Sequence, residues 1–263
     1  VLHPNIYKHE EIFRQEGWNY HLEEADGELS YNGVVYNEMK GAFSSPDGVL
    51  DRMILNSLFP DTTYANESGG DPDVIPELTY EEYLNFHRTY YHPSNSYIYL
   101  YGNMDMEEKL NWLDQEYLSA YDKKEVDSEI HLQKPFEKMH DITKPYSIAS
   151  NESTEDNTYL SYNKIIGTSL DEKLYLAFQI LDYALLSAPG APITKALLEA
   201  GIGKDISGSY DSSTYQPIFS IVAKNANEEQ KAEFVKVIED TLKGIVENGM
   251  DQTGAWRYRK EWY

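Results

Sequence analysis

Residues 217–249 read PIFSIVAKNANEEQKAEFVKVIEDTLKGIVENG, and two different periods meet in that stretch. Pro217 to Ala223 is a short run of β-branched, aromatic and small residues, which predicts a strand. Asn227 then opens a helix that runs to Asn248. Asn227 is a good N-cap, Gln230 stands at the capping-box position, and Phe234, Val237, Ile238, Leu242 and Ile245 recur as one apolar stripe. Gly249 stops the helix. A strand followed at once by a long amphipathic helix is the unit from which the fold class can be read.

The same grammar extends upstream. Asp171 to Leu186 predicts a strong helix, and Pro192 to Ala200 a second one closed by Gly201. Tyr146-Ser147-Ile148 and Thr158 to Tyr162 predict strands. In the first half, residues 8–24 predict a helix and turn, Tyr31 to Tyr36 a short strand, and Asn37 to about Leu58 a helix broken near Ser44-Ser45-Pro46-Asp47-Gly48. Residues 59–76 are a Gly-, Asp- and Pro-rich loop. Thr79-Tyr80-Glu81-Glu82 is a capping box for a helix to about Tyr91. Asn95 to Gly102 predicts a strand, and Asp105 to Tyr121 an amphipathic helix with Leu110, Leu113 and Tyr117 on one face. Helices and antiparallel-type strands in separate runs make the class α+β, with an antiparallel sheet and helices packed against it. Each half has a coarse helix–strand–helix order, which fits a structural repeat. The polar, charge-mixed segment after Tyr121 sets the expected organisation: residues 1–125, a linker at 126–150, and residues 151–263.

Composition narrows the function. With 263 residues and 41% hydrophobic content, the chain can bury a sizeable core. Its formal net charge of −23 argues against nucleic acid and anionic membranes as partners and favours cationic ligands such as basic peptides. The absence of cysteine removes disulfides, thiolate metal sites and cysteine nucleophiles, and fits a reducing compartment. No apolar run approaches the ~20 residues that span a bilayer. The chain opens on Val1 in what reads as the middle of an element and closes at Tyr263 with no stop signal, so both ends are expected to be cuts in a longer protein.

Self-contained catalytic motifs are scarce. Glycine-rich phosphate loops, G-x-S-x-G elbows and dinucleotide fingerprints do not occur. Ser68-Gly69-Gly70-Asp71-Pro72-Asp73 reads as a structural turn rather than a calcium loop, because its oxygens lack EF-hand spacing. The seven histidines form neither H-E-x-x-H nor H-x-x-E-H, so His87 and His92 are expected to be packing or surface residues. One acid stands out by its setting. In Gly33-Val34-Val35-Tyr36-Asn37-Glu38-Met39-Lys40-Gly41, Asn37 reads as an N-cap and Glu38 as the first-turn carboxylate of the helix. That position suits a metal ligand held on rigid backbone, and equally an ordinary interaction with the helix dipole.

Longer strings carry a resemblance. Gln15-Glu16-Gly17-Trp18 with Gly33 to Gly41, then Ser68 to Pro72, Ile75-Pro76-Glu77-Leu78-Thr79, Tyr91-His92-Pro93-Ser94-Asn95 and Tyr101-Gly102-Asn103 follow one another in order. Gly190-Ala191-Pro192-Ile193 and Ala196 to Gly203 follow in the second half. Together they resemble the insulinase/pitrilysin superfamily of zinc peptidases, and within it the presequence-protease and falcilysin branch. The resemblance covers about residues 10 to 250, while Gly254 to Lys260 has only a partial family look. It implies related α+β domains enclosing a chamber, with the chain holding the later part of the zinc-bearing domain and much of a second, non-catalytic one. It also implies Zn²⁺ as cofactor, peptides as substrates, and the rest of the same polypeptide as partner. Glu38 matches the family's distant glutamate ligand. The H-x-x-E-H segment, which supplies two histidines and the general base, has no counterpart here, so catalytic residues are expected elsewhere and these 263 residues alone are expected to be inactive. The acid excess would then attract unfolded basic peptides. The expected location is cytoplasmic, with an organelle matrix as alternative. Two other functions compete: a non-catalytic structural or peptide-binding member of the same fold, and a free-standing peptide-binding module.

Overall fold

The computed structural model describes residues 3–250. In chain order its elements are α1 (Glu10–Glu16), β1 (Asn19–His21), β2 (Ser30–Asn32), α2 (Val34–Ala42), α3 (Pro46–Leu58), α4 (Tyr80–Tyr90), α5 (Met106–Glu116), β3 (Thr158–Ile165), α6 (Glu172–Asp182), α7 (Pro192–Glu199), β4 (Asp205–Asp211), β5 (Ile218–Ala226) and α8 (Lys231–Asn248). A π-helical stretch, Tyr183–Ser187, continues α6, and short 3-10 turns join several elements. The fold is α+β, as expected. Residues fall into two compact units. One comprises residues up to Phe43 together with Asn66–Ile130, and the other Ser44–Ala65 together with His131 onward.

The second unit is built on a three-stranded antiparallel sheet in the order β3-β5-β4. The central strand, β5, carries the mostly apolar residues 218–223. Ile165 faces Ile218 on one side and Asp211 faces it on the other, while Ala223 lies between Leu160 and Ile206. Phe219, Ile221 and Ala223 alternate into a core shared with Leu160, Ile193, Leu197, Ile202, Phe234 and Ile238. Ile218 points away from that cluster and packs with Ile54 and Phe59 from α3 and its exit. A strand covered on both faces reads as a nearly continuous apolar run, and 218–223 does so apart from Ser220, which is itself buried.

The helices that cover this sheet end as their sequences dictate. The Asn227/Gln230 capping box forms, and Gly249 closes α8 with its amide on the Ile245 carbonyl at 2.8 Å. At the end of α7 the Ile202 amide reaches the Leu197 carbonyl and the Gly201 amide the Leu198 carbonyl, at 3.0 and 3.1 Å. This pair of bonds is a Schellman motif, with Gly201 at φ 69° and its flanking Leu197 and Ile202 both fully buried. The segment of 122–144 has no regular structure, yet Gln133 is buried. Its side chain accepts from the Asp61 amide at 2.9 Å and donates to the Asp61 carboxylate at 2.8 Å.

The first unit has a two-stranded hairpin, β1 with β2, around which α1, α2, α4 and α5 are strung. The Thr79/Glu82 capping box of α4 forms as expected, and the hydrogen bonds from Thr79 hold the Glu82 carboxyl below its usual range. The break before α3 falls at Phe43–Ser45: Ser45 caps, Pro46 takes the first helical position, and Gly48 sits inside the first turn.

Several expected elements differ. The strand expected at Tyr31–Tyr36 ends at Asn32, because α2 already begins at Val34. Tyr146–Ile148 forms no strand, and neither does Asn95–Gly102, where Asn95 ends a 3-10 turn and the residues after it join no ladder among the described residues. Leu110, expected on the buried face of α5, is exposed while Leu113 is buried. β4 was not expected at all. The segment Gly254–Lys260 lies outside the described residues.

Candidate functional site

Glu38 sits on α2, and α2 starts where Gly33 allows it to. Gly33 has φ 147°, and a Cβ there would stand 2.3 Å from the Gly17 carbonyl oxygen. Only a residue without a side chain lets the α1 exit and the α2 entry approach this closely. The contact is tied by the Tyr36 amide donating to the Gly17 carbonyl at 3.3 Å, and the first helical bond runs from the Asn37 amide to the Gly33 carbonyl at 3.0 Å. Asn37 is therefore not the N-cap, and Glu38 is the fifth helical residue rather than a first-turn acid. The helix-dipole reading of Glu38 loses its basis with that shift, since the effect fades beyond the first turn. The Asn37 side chain instead donates to Asn32 Oδ1 at 2.7 Å, pinning the hairpin to the helix.

The strings around Trp18, Met39, Gly69 and Ile75 converge physically. Met39, Trp18, Phe13 and Ile75 form one buried cluster. The Trp18 indole N–H donates to the Leu78 carbonyl at 2.9 Å. Gly69 and Gly70 have φ near 91° and 94°, and a Cβ on Gly69 would stand 2.5 Å from Met39 Sδ. The Ser68–Pro72 loop is thus a packing loop over Met39. Glu38, one residue before that buried anchor, is exposed. It makes no side-chain hydrogen bond or ion pair among the described residues.

Beside α2 lies an open groove that sequence reading did not anticipate, lined by Glu11, Arg14, Gln15, Asn19, Asn32, Val34 and Asn37. Arg14 is held by Glu10 at 2.8 Å and lies over the Phe13 and Trp18 rings. No spacing in the sequence announces this groove, because it is assembled from α1, the hairpin and the start of α2.

His87 and His92 are occupied structurally. His87 Nδ1 shares a hydrogen bond with the Tyr7 hydroxyl at 2.7 Å and its ring stacks on Tyr91, and burial lowers its pKa. His92 Nδ1 accepts the Ser94 amide at 3.1 Å. Among the described residues no group of three His, Cys, Asp or Glu side chains could hold a metal ion. A complete zinc site does not fit these residues. A single donor does: Glu38 offers an exposed carboxylate, with no side-chain partner among the described residues, on a helix anchored by Met39. No described helix is long and apolar enough to cross a membrane.

Protein HypA of Clostridium perfringens (strain 13 / Type A) is 54% identical over 252 residues, covering 96% of this chain and 26% of that protein. Presequence protease 1, chloroplastic/mitochondrial, of Arabidopsis thaliana is 38% identical over 255 residues, covering 95% and 24%. The mitochondrial presequence protease of Mus musculus is 34% identical over 248 residues, covering 91% and 24%. The chain thus spans about a quarter of the length of these curated relatives. The crystal structure of a peptidase M16 inactive domain from Pseudomonas fluorescens shares the fold, with a TM-score of 0.59 at 19% identity over 87% of this chain and 54% of that one. A family model described as the Peptidase M16 inactive domain matches residues 77–255. With that match covering more than half of its length, the chain belongs to the peptidase M16 family.

Proposed function

We propose that this chain is an internal portion of a zinc-dependent metalloendopeptidase that hydrolyses peptides inside a closed chamber. The observation that supports this most is its identity, across more than nine-tenths of its length, to proteins named presequence proteases. In this reading residues 1–125 are the later part of the zinc-bearing domain, 126–150 the connection, and 151–263 the non-catalytic second domain. The inactive-domain model matches residues 77–255, which takes in all of the proposed connection and most of the proposed second domain, and also the last part of the first. Substrates are peptides, unfolded and basic ones in particular. The proposed location is the cytoplasm, and the organelle names of the plant and animal relatives support the alternative of a mitochondrial or plastid compartment.

Glu38 would supply one carboxylate oxygen to the zinc, the other donors and the general base lying outside these residues. When bound, zinc supplies acidified water near neutral pH, the chemistry that peptide hydrolysis needs. The chain's own part is to hold Glu38 in place: Gly33 sets the start of α2, Met39 anchors the helix, and the Asn37–Asn32 bond fixes its rotation against the hairpin. A non-catalytic member of the family is the second reading, favoured by the inactive-domain match.

Substituting Glu38→Gln separates the two readings in the full-length protein. Zinc bound per chain, measured by atomic absorption after dialysis, should fall with affinity lowered at least about tenfold, and turnover should be lost. In the 263-residue chain the same change should leave the unfolding midpoint unmoved, since Glu38 is exposed and unpartnered. Wild-type zinc content and turnover in the full-length variant would overturn the assignment. A wild-type protein that binds no zinc would favour the non-catalytic reading.

A further inference from the structure

The hairpin of β1 and β2 has two unlike faces, and the apolar one is turned to solvent. We propose that this face, with the acidic loop at its tip, docks a cationic peptide segment that also carries apolar side chains. This rests on the reading of basic peptides as substrates, and it names a surface that would hold them.

The register decides which residues share a face. Tyr20 lies opposite Tyr31, while Asn19 and His21 lie opposite Asn32 and Ser30. Side chains alternate along a strand, so Trp18, Tyr20 and Leu22 stand on one face, with Leu29 and Tyr31 across from them. The rings meet accordingly. The Tyr20 and Tyr31 centroids are 5.6 Å apart, and Trp18 is 5.4 Å from Tyr20 and 5.8 Å from Tyr31. Only the base of this aromatic ladder is covered. Trp18 is buried, whereas Tyr20, Leu22, Leu29 and Tyr31 are 64%, 43%, 67% and 45% exposed. The other face is polar and tied down. The Asn19 side chain donates to the Arg14 carbonyl at 2.9 Å, and Asn32 Oδ1 accepts from Asn37 at 2.7 Å. A hairpin that anchors by its polar side and shows its aromatic side to water reverses the common arrangement, and contiguous apolar exposure of this kind marks a contact surface.

Charge selects the occupant. Glu23, Glu24, Asp26 and Glu28 lie in the connection between Leu22 and Leu29, and all are exposed. Their side chains make no ion pair or hydrogen bond among the described residues. No Lys or Arg stands between Asn19 and Asn32 to balance them. An apolar patch rimmed by uncompensated acids repels an acidic partner, including a second copy of this chain with its net charge of −23. It suits a segment in which Arg or Lys stands beside Leu, Ile or Phe, and the tyrosine rings offer faces on which a guanidinium can lie. A segment of the same polypeptide is the remaining competitor, and stability tells it apart.

Fluorescence anisotropy on the full-length protein tests the docking, with EDTA present to halt zinc-dependent hydrolysis. The probes are labelled peptides of equal length: one combines Leu and Phe with Arg, another has Gln in place of Arg, and another has Ser in place of Leu and Phe. The first should bind at least about tenfold more tightly than either of the others at low salt. Tyr20→Ser with Leu29→Ser should weaken the first by about tenfold and erase its advantage over the Ser peptide. Neutralising the loop with Glu23→Gln, Glu24→Gln, Asp26→Asn and Glu28→Gln should erase its advantage over the Gln peptide. Wild-type affinity for the first peptide in either variant overturns the proposal. So does a fall of more than about 5 °C in the unfolding midpoint of the Tyr20/Leu29 variant, which makes the rest of the polypeptide the occupant. Turnover of the untreated protein keeps the underlying reading separate. Hairpin-dependent docking in a protein without peptidase activity defeats that reading alone, whereas a peptidase whose docking ignores the hairpin defeats only this surface.

Discussion

Gly33 and Gly201 both have positive φ, but the space around them differs, and that difference sets what a methyl group costs. At Gly201 an added Cβ meets nothing within 4 Å, so Gly201→Ala is charged only for the left-handed backbone, about 1 kcal/mol. At Gly33 the Cβ would collide with the Gly17 carbonyl and the Trp18 Cα at 2.3 and 2.8 Å, both backbone atoms. Neither can swing aside as a side-chain tip would. Gly33→Ala should therefore cost about 3 kcal/mol or more, because the α1–α2 approach must open. Urea unfolding of the two variants measures the contrast, and equal midpoints would sink it. Glu38 itself illustrates what single residues conceal. Its position on a helix was legible, but its place in that helix was not, because Asn37 looked like a cap and Gly33 was the true one. The ligand role proposed for it came from strings, of which those holding Trp18, Met39 and Ile75 share a buried cluster only once the chain is folded.

At the scale of elements, the helix ends were the most legible part. Thr79 with Glu82, Asn227 with Gln230, and Gly201 after α7 are local chemistry, and each formed where its residues specify. Strands were less legible because a strand needs a partner that local sequence does not name. Asp205–Asp211 is polar and contains Gly208, yet it becomes β4 because β5 pairs with it from Asp211↔Ile218 to Asp205↔Lys224. Ser96–Tyr101 has far better strand residues and no ladder. One element also carries a titration. Asp182 ends α6 where the π-helical stretch begins, and its Oδ1 is buried without a hydrogen-bond partner among the described residues. Burial raises its pKa above the usual carboxylate value. The folded state then holds a proton that the unfolded chain releases, so stability falls as pH rises from the ordinary value through the raised one. Above that window the penalty is complete. Asp182→Asn should consequently stabilise the chain at pH 7 by on the order of 1 kcal/mol, the partly exposed carboxylate being screened by water. The gain should shrink as pH falls and vanish below both values. Thermal melts at pH 3, 5 and 7 check this, and a gain that persists at pH 3 contradicts it.

For the whole molecule, local sequence shows which pieces exist but not which pieces pack together. Ser44–Ala65 joins the unit of the later half because Ile54 and Phe59 cover Ile218, a pairing 150 residues and more apart in the chain. Net charge is the global property that needs no fold to be read. A surface carrying −23 sets up a field that draws cations from beyond contact distance, and that field is screened over about 10 Å at 0.1 M salt. If the acidic surface faces the proposed chamber of the full-length enzyme, the Michaelis constant for a peptide with several Lys and Arg residues should rise roughly tenfold between about 0.05 and 0.5 M salt. A neutral peptide of the same length should change less than about twofold, because only charge–field attraction is being screened. The turnover number should stay level for both, since the salt acts on encounter and binding rather than on the bond being broken. Acids that merely face bulk solvent give a different result. The basic and neutral peptides would then respond alike, and the charge excess would serve solubility alone.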